Sequence, residues 1–473
     1  MRSVADSGGS GSGGFRRVVA AFLSQPGLPF ASVLSAERIE RTFARHGNLF
    51  GGTGIYSTVI TLWAFLGQAL RDGKQASCRA AVAEIVTHQQ ALGQPAPTSD
   101  TGDYCRARAK LSEAALRELT VEAAADLEAQ SPTAWLWKGR HAKLVDGSTF
   151  TMPDTPENQA AFPQPDSQAA GCGFPIARVC MILSLATAAV TDVAIGPYAG
   201  KETGETALLR ELFDSLDEGD VVVADRYYCS FLMIALLLGR GMDVCARMHQ
   251  RRHVDFRRGR RLGRGDHLVH WTKPDRPEWM DEATYDRIPQ TMMLREVRFH
   301  VVEPGRRTKV LTIATTLLDA DVYSKEDVAE LYGFRWNSEL DIRSIKRTLG
   351  LDHVRCKSPE MVRNELWTIL LAHNMIRATA AAAALLHDKR PRQISFAGTC
   401  QYVLSSWMLL SSGLIAPSRI LEHCLMLLQR ISECEVADRP NRIEPRVIKR
   451  RRDRYPLMTR PRWKLRSRLS GDN

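Results

Sequence analysis

Asp220-Val-Val-Val-Ala-Asp225-Arg-Tyr-Tyr228 is the stretch on which the fold turns. An apolar run rich in β-branched residues stands between two acids and reads as a short buried strand, ended by Asp225 and a change of direction. Upstream, Lys143-Leu-Val-Asp146-Gly-Ser-Thr149 repeats the pattern, with a strand over Lys143–Val145 that stops at an acid followed by Gly. Acids at the carboxyl ends of buried strands project into the crevice where open α/β sheets bind ligands. Taken singly, each Asp is more often a turn former or helix cap. Further strands are expected at Arg178–Leu185, Val190–Pro197 and Lys309–Ala314, with helices at Thr206–Leu216 and Phe231–Leu238.

A third acid joins these two through Tyr332-Gly-Phe-Arg335-Trp-Asn-Ser-Glu339-Leu-Asp-Ile-Arg-Ser-Ile-Lys346. On one helix turning about 100° per residue, Tyr332, Arg335, Glu339 and Lys346 fall within an arc of roughly 60° and span about 21 Å. The plain reading is a solvated face with ion pairs. Against it, Arg335 precedes Glu339 in the poorer i,i+4 orientation, and bulky apolar neighbours (Val328, Leu331, Phe334, Trp336, Leu340, Ile342, Ile345, Leu349) call for packing of much of this helix. A polar stripe in that setting lines a cleft. Asp146, Asp225 and Glu339 together suit two hard divalent cations about 4 Å apart, an arrangement used for phosphoryl displacement.

The order Asp146, Asp225, Glu339, with Tyr-x2-Arg-x3-Glu-x6-Lys around the last acid, resembles the DDE transposases of bacterial insertion sequences. More narrowly it resembles the group defined by that Tyr-Arg-Glu-Lys signature. The long Arg-rich segment between Asp225 and Glu339 matches the β-rich insertion of that group. The resemblance implies an α/β, ribonuclease-H-like catalytic core with Asp146, Asp225 and Glu339 as catalytic residues and ligands of two Mg²⁺ ions, Mn²⁺ being able to substitute. It implies that Tyr332, Arg335 and Lys346 bind DNA. The expected reaction is a nick freeing a 3′-hydroxyl, a hairpin intermediate, and strand transfer of the element. The implied partners are double-stranded DNA (terminal inverted repeats and target) and a second copy of the chain on paired ends. Relatives stack a flipped base on a Trp between the insertion and the Glu helix. Here no Trp occurs from Asp281 to Phe334, so Trp271 or Trp279 would take that role from a shifted position.

Composition agrees with a polyanionic partner: the 473 residues carry a net charge of +11. Arginines crowd the stretch 247–264 and the tail 446–468. The cysteines form no CxxC and the histidines no HExxH, which argues against a zinc ribbon or a zincin. No uninterrupted apolar run reaches the roughly 18 residues of a membrane span, so a soluble cytoplasmic, nucleoid-associated protein is expected, with no membrane partner.

The expected organisation is a flexible leader (1–34), an N-terminal helical DNA-end-binding domain (35–136), and a catalytic core (137–244 and 309–375) interrupted by a β-rich basic insertion (245–308). A C-terminal helical region and basic tail follow (376–473). N-terminal helices are expected at Ser35–Arg45, Ile55–Arg71, Cys78–Leu92 and Tyr104–Leu127, and insertion strands at His267–Trp271 and Leu294–Val302. The N-terminal helices could instead be a cap without DNA contact, the insertion a basic solvated loop, and the C-terminal helices a layer over the sheet. The segment Arg439–Arg468 reads as poorly ordered without a partner.

Other classes fit less well. A phosphatase using Asp146 as nucleophile wants an Asp where Ser148 stands, and a structure-selective nuclease has no use for the stripe. A catalytically inactive transposase-derived DNA-binding protein stays open from sequence, although all three acids are present.

Overall fold

The computed structural model describes residues 34–50, 55–91, 93, 95–249, 251–300, 310–411, 415–437 and 458–470. The expected leader therefore lies outside the described residues, save for its last one. The framework is a nine-stranded mixed sheet with helices on both faces. Its strands are β1 (Ala142–Thr151), β2 (Ile176–Ser184), β3 (Val190–Pro197), β4 (Val221–Ala224), β5 (Asp243–Arg247), β6 (Arg260–Gly263), β7 (Asp266–Thr272), β8 (Thr291–His300) and β9 (Val310–Thr315). Their order across the sheet is β3-β2-β1-β4-β5-β9-β8-β7-β6. The strands β1 to β3 form an antiparallel meander, and β4 and β5 run parallel to β1. The remaining strands return antiparallel.

Strand periodicity divides the interior in two. Leu144, Met181, Val223 and Cys245 face one layer, while Val145, Cys180, Val222 and Ala246 face the other, as alternate side chains of a strand must. The first layer takes the N-terminal helices, the long helix Pro359–Leu386 and the helix Trp336–Arg347. The second takes the helices Glu205–Glu211 and Phe231–Leu238. Ser230 starts the latter by accepting the Met233 N–H at 3.2 Å, and its run of apolar residues on every side suits a helix enclosed by protein.

Several expectations need correction. The strand expected to stop at Asp146 continues to Thr151, paired with β2 throughout. What ends there is its other neighbour: β1 meets β4 only from Ala142↔Val221 to Val145↔Ala224. The helix expected over Tyr104–Leu127 is two, Gly102–Arg108 and Glu113–Ala129, because Ser112 restarts it by accepting the Ala115 N–H at 3.4 Å. The helix expected over Thr206–Leu216 ends at Glu211, and a 3₁₀ turn covers Phe213–Ser215. In the tail, most of the segment read as poorly ordered (438–457) lies outside the described residues, but Arg462–Ser470 is helical.

The helix Pro359–Leu386 is long and apolar enough to cross a membrane, yet 78% of its most apolar window is buried in the protein, as expected of a core helix. All ten cysteines are free.

Candidate active site

The single helix expected over Tyr332–Lys346 is interrupted. One helix, Lys325–Gly333, ends at Gly333, and the next, Trp336–Arg347, begins after a turn of Phe334 and Arg335. Both turn residues keep right-handed helical angles, but the Arg335 N–H bonds Tyr332 O and the Ser338 N–H bonds Arg335 O. These i→i+3 bonds tighten the junction. Arg335 consequently sits at the start of the second helix with Glu339 one turn on.

Asp146, Asp225, Arg335, Glu339 and Lys346 all line one cavity of about 380 Å³. Asp146 enters it from the middle of β1, where β4 parts from it, and Asp225 from the residue after β4. Asp146 Oδ1 accepts its neighbour Gly147 N–H at 3.0 Å, and Oδ2 accepts the Ser338 hydroxyl at 2.7 Å and Arg335 Nη1 at 3.5 Å. Arg335 Nη2 donates to Glu339 Oε1 at 2.6 Å. Asp225 Oδ1 accepts the Arg226 N–H at 2.6 Å. Burial pushes the Asp146 carboxyl above the ordinary aspartate range; Glu339 adds to this, while Ser338, Arg335 and Gly147 oppose it.

Lys346 is turned onto the sheet. Its Nζ donates to Thr149 O at 2.8 Å and Ser148 Oγ at 3.2 Å, and it pairs with Asp352 at 2.9 Å. Tyr332 is only 6% exposed. Burial pushes its phenol pKa up, with nearby Arg335 opposing.

Two contributors escape the sequence reading. Ser338, fully buried and one residue before Glu339, fixes Asp146. Glu205 is the other: its carboxyl lies against Gly147 so closely that a Cβ there would collide with it. Tyr228 Oη donates to Glu205 Oε2 at 3.4 Å. Burial, then the charge of Asp146, raises the Glu205 pKa. The available signal was the Gly in Asp146-Gly147, since glycine inside a strand marks close approach by another group.

Trp271 is buried, donates its indole N–H to Glu296 at 2.8 Å, and is covered by Arg252 at 3.5 Å from the ring centroid. It has no free face for a base. Trp279 instead lines a second cavity of about 620 Å³ with Arg178, Tyr198 and Arg210, the Arg210 guanidinium lying 3.9 Å from its ring centroid.

Residues 137–375, half of the chain and the part that holds all three acids, match the transposase DDE domain. The chain belongs to that family. It is a DNA transposase, an enzyme of DNA cleavage and strand transfer. The transposase InsG for insertion sequence element IS4 of Escherichia coli K12 is 27% identical over 440 residues, covering 92% of this chain and 94% of that protein. The transposase for insertion sequence element IS421 of Escherichia coli is 41% identical over 61 residues, 13% of this chain and 16% of its own. Among solved structures, the piggyBac transposase synaptic complex with hairpin DNA aligns with a TM-score of 0.41 and 12% identity, over 88% of this chain and 85% of that one. Nothing in these comparisons favours the inactive derivative.

DDE transposases use divalent metal ions. The donor set here fits such an ion, because Asp146, Asp225 and Glu339 offer hard carboxylate oxygens to one cavity. Among the described residues no three acid, His or Cys side chains converge tightly enough to hold one ion. Arg335 spans Asp146 and Glu339, bonding one oxygen of each.

Proposed function

We propose that Asp146, Asp225 and Glu339 are the catalytic carboxylates of this transposase and that they hold two Mg²⁺ ions, with Mn²⁺ able to replace them. The observation that carries this reading is that the three acids, Arg335 and Lys346 line a single cavity within the family segment. The strand order supports a ribonuclease-H-like core: an antiparallel meander of three strands, then two parallel strands, with acids on β1 and just after β4. The spacing of Tyr332, Arg335, Glu339 and Lys346 supports membership of the Tyr-Arg-Glu-Lys group.

Bound by these carboxylates, the ions would supply acidification of the attacking hydroxyl and charge neutralisation at the departing oxygen. The chain's own residues do the positioning. Ser338 and Gly147 orient Asp146, leaving its carboxylate aimed into the cavity. Arg335 can present its planar fork to a phosphate in bidentate fashion, and Lys346 adds a second cation at the far end of the same helix. Tyr332, expected to bind DNA, is buried in the core behind Arg335 and does not line the cavity, so a contact with phosphate would require it to move. The first displacement inserts water and frees a 3′-hydroxyl. That hydroxyl attacks the opposite strand in the hairpin step, and a base unstacked by the bend stacks on Trp279. The second cavity supports this assignment, since it joins Trp279 and Tyr198 to Arg178 and Arg210. The partners are the terminal inverted repeats, target DNA and a second copy of the chain, and the protein works in the cytoplasm at the nucleoid.

The test is cleavage of end-labelled duplex carrying the element's own terminus, with Mg²⁺, for the wild type and Glu339→Gln. A hairpin from the wild type alone is expected. Cleavage that persists undiminished in Glu339→Gln would remove Glu339 from the catalytic set. A nick without a hairpin would remove the hairpin step and Trp279's part in it.

A further inference from the structure

Arg335 bonds the two acids that stand on either side of it. Its Nη2 lies 2.6 Å from Glu339 Oε1 and its Nη1 3.5 Å from Asp146 Oδ2, with 18% of its side chain exposed. Asp146 has limited room for another partner, because its two oxygens already take the Gly147 N–H and the Ser338 hydroxyl. Glu339 is more open, at 41% exposure. Two like-charged carboxylates share a partly enclosed space, and the guanidinium between them offsets their repulsion. Those carboxylate oxygens are also the ones a hard cation would need. The guanidinium is tethered at a junction of two helices, so a change of rotamer can move it without moving either acid. The other strong binder of a planar guanidinium is phosphate, and the cavity is open at this point.

We infer that Arg335 is an exchangeable counter-ion: it competes with divalent cations for Asp146 and Glu339, and a DNA phosphate that draws it away raises their affinity. This rests on the assignment of those carboxylates as the cation ligands. By linkage the effect is reciprocal, so DNA binds more tightly in the presence of the cation. Arg suits the task where Lys does not, because one planar fork reaches both acids at once.

The experiment is calorimetric titration of the full chain with Mn²⁺, without DNA and then with a duplex ending at the already cut element terminus. Wild type, Arg335→Gln, Arg335→Lys and Glu339→Gln are compared, each checked for folding by circular dichroism. Removing one positive charge beside the ligands should tighten Mn²⁺ binding about tenfold or more in Arg335→Gln without DNA. The duplex should tighten binding to the wild type and leave Arg335→Gln nearly unchanged. Arg335→Lys, keeping charge but not the bridge, should fall between them. Equal or weaker Mn²⁺ binding by both Arg335 variants without DNA overturns the competition. Undiminished Mn²⁺ binding by Glu339→Gln would instead overturn the ligand assignment beneath it, so the two failures are distinguishable.

Discussion

At Gly147 a methyl group would collide with the carboxyl of Glu205, but that carboxyl is the free end of a flexible chain. Gly147→Ala should therefore alter unfolding free energy by only about 1 kcal/mol, while turning Glu205 away from Tyr228 and lowering cleavage. Chemical denaturation beside a cleavage assay checks both. Asp146 tells a related story through pH. Its pKa is raised in the fold by burial, so the native state holds this proton more tightly than the unfolded chain. The contribution of Asp146 to stability is then greatest below the unfolded carboxylate range and declines as pH rises through that range toward the folded value. Asp146→Asn should accordingly melt higher than the wild type near pH 7, with the gap closing near pH 4, while activity drops by a factor on the order of 10⁴. An unchanged melting temperature at pH 7 would show that Ser338 and Arg335 fully compensate the buried charge. That Asp146, Asp225 and Glu339 meet in one cavity was legible in the sequence because each follows or carries a clear local pattern. Glu205 and Ser338 were not, because nothing local in sequence says which distant backbone or carboxyl they will meet.

Among elements, the contact between the helix Glu113–Ala129 and β1 depends on a buried charge cluster. Lys143 pairs with Glu128, and Asp220 stands 4.0 Å from its Nζ. Burial opposes ionisation of Glu128, yet His141 and Lys143 win and hold its pKa at about 2. A depressed carboxylate contributes stability that is present above its unfolded pKa and lost as pH falls through the folded value, here between about pH 4.3 and about 2. Glu128→Gln should cost about 3 kcal/mol at neutral pH, the low end for a broken buried pair, because Lys143 then keeps only Asp220 at 4.0 Å. Chemical denaturation measures it, and the penalty should shrink below pH 3. The same scale shows where periodicity misleads. Phe334 and Arg335 keep helical angles, so the apolar spacing runs on unbroken across a junction that only hydrogen-bond pairing reveals. Gly147 invited a strand end that is a close approach instead, since a strand reads as ended where one of its two neighbours leaves. The strands Val190–Pro197 and Val221–Ala224 fall where expected because turn residues or acids bound them on both sides.

For the whole molecule, charge and core are distributed differently. The core joins the N-terminal helices to the sheet without a break, Leu62, Phe65 and Leu66 belonging to the same cluster as Leu144 and Val223. One cluster of positive charge lies well outside it: Arg257 and Arg258 are 91% and 82% exposed, and Arg260 and Arg261 are exposed on the edge strand β6. If these arginines meet DNA phosphates, each Arg→Ala change should reduce the slope of log affinity against log salt by about 0.9. Fluorescence anisotropy across a salt series reads this directly, and an unchanged slope in Arg257→Ala with Arg258→Ala would take the insertion off the DNA path.

The strands β6, β7 and β8 continue the same sheet beyond β9, and the buried pair of Arg295 with Asp266 ties them to the neighbouring helix, since Arg295 also donates to Tyr323 O at 2.5 Å. Mechanically this is a cantilever clamped along its length. Force applied at the outer arginines would travel through the paired strands β7, β8 and β9 into β5, the strand against which the Tyr332 helix packs. DNA drawn around such a beam would take up the deflection itself, and the geometry at the cavity would be kept.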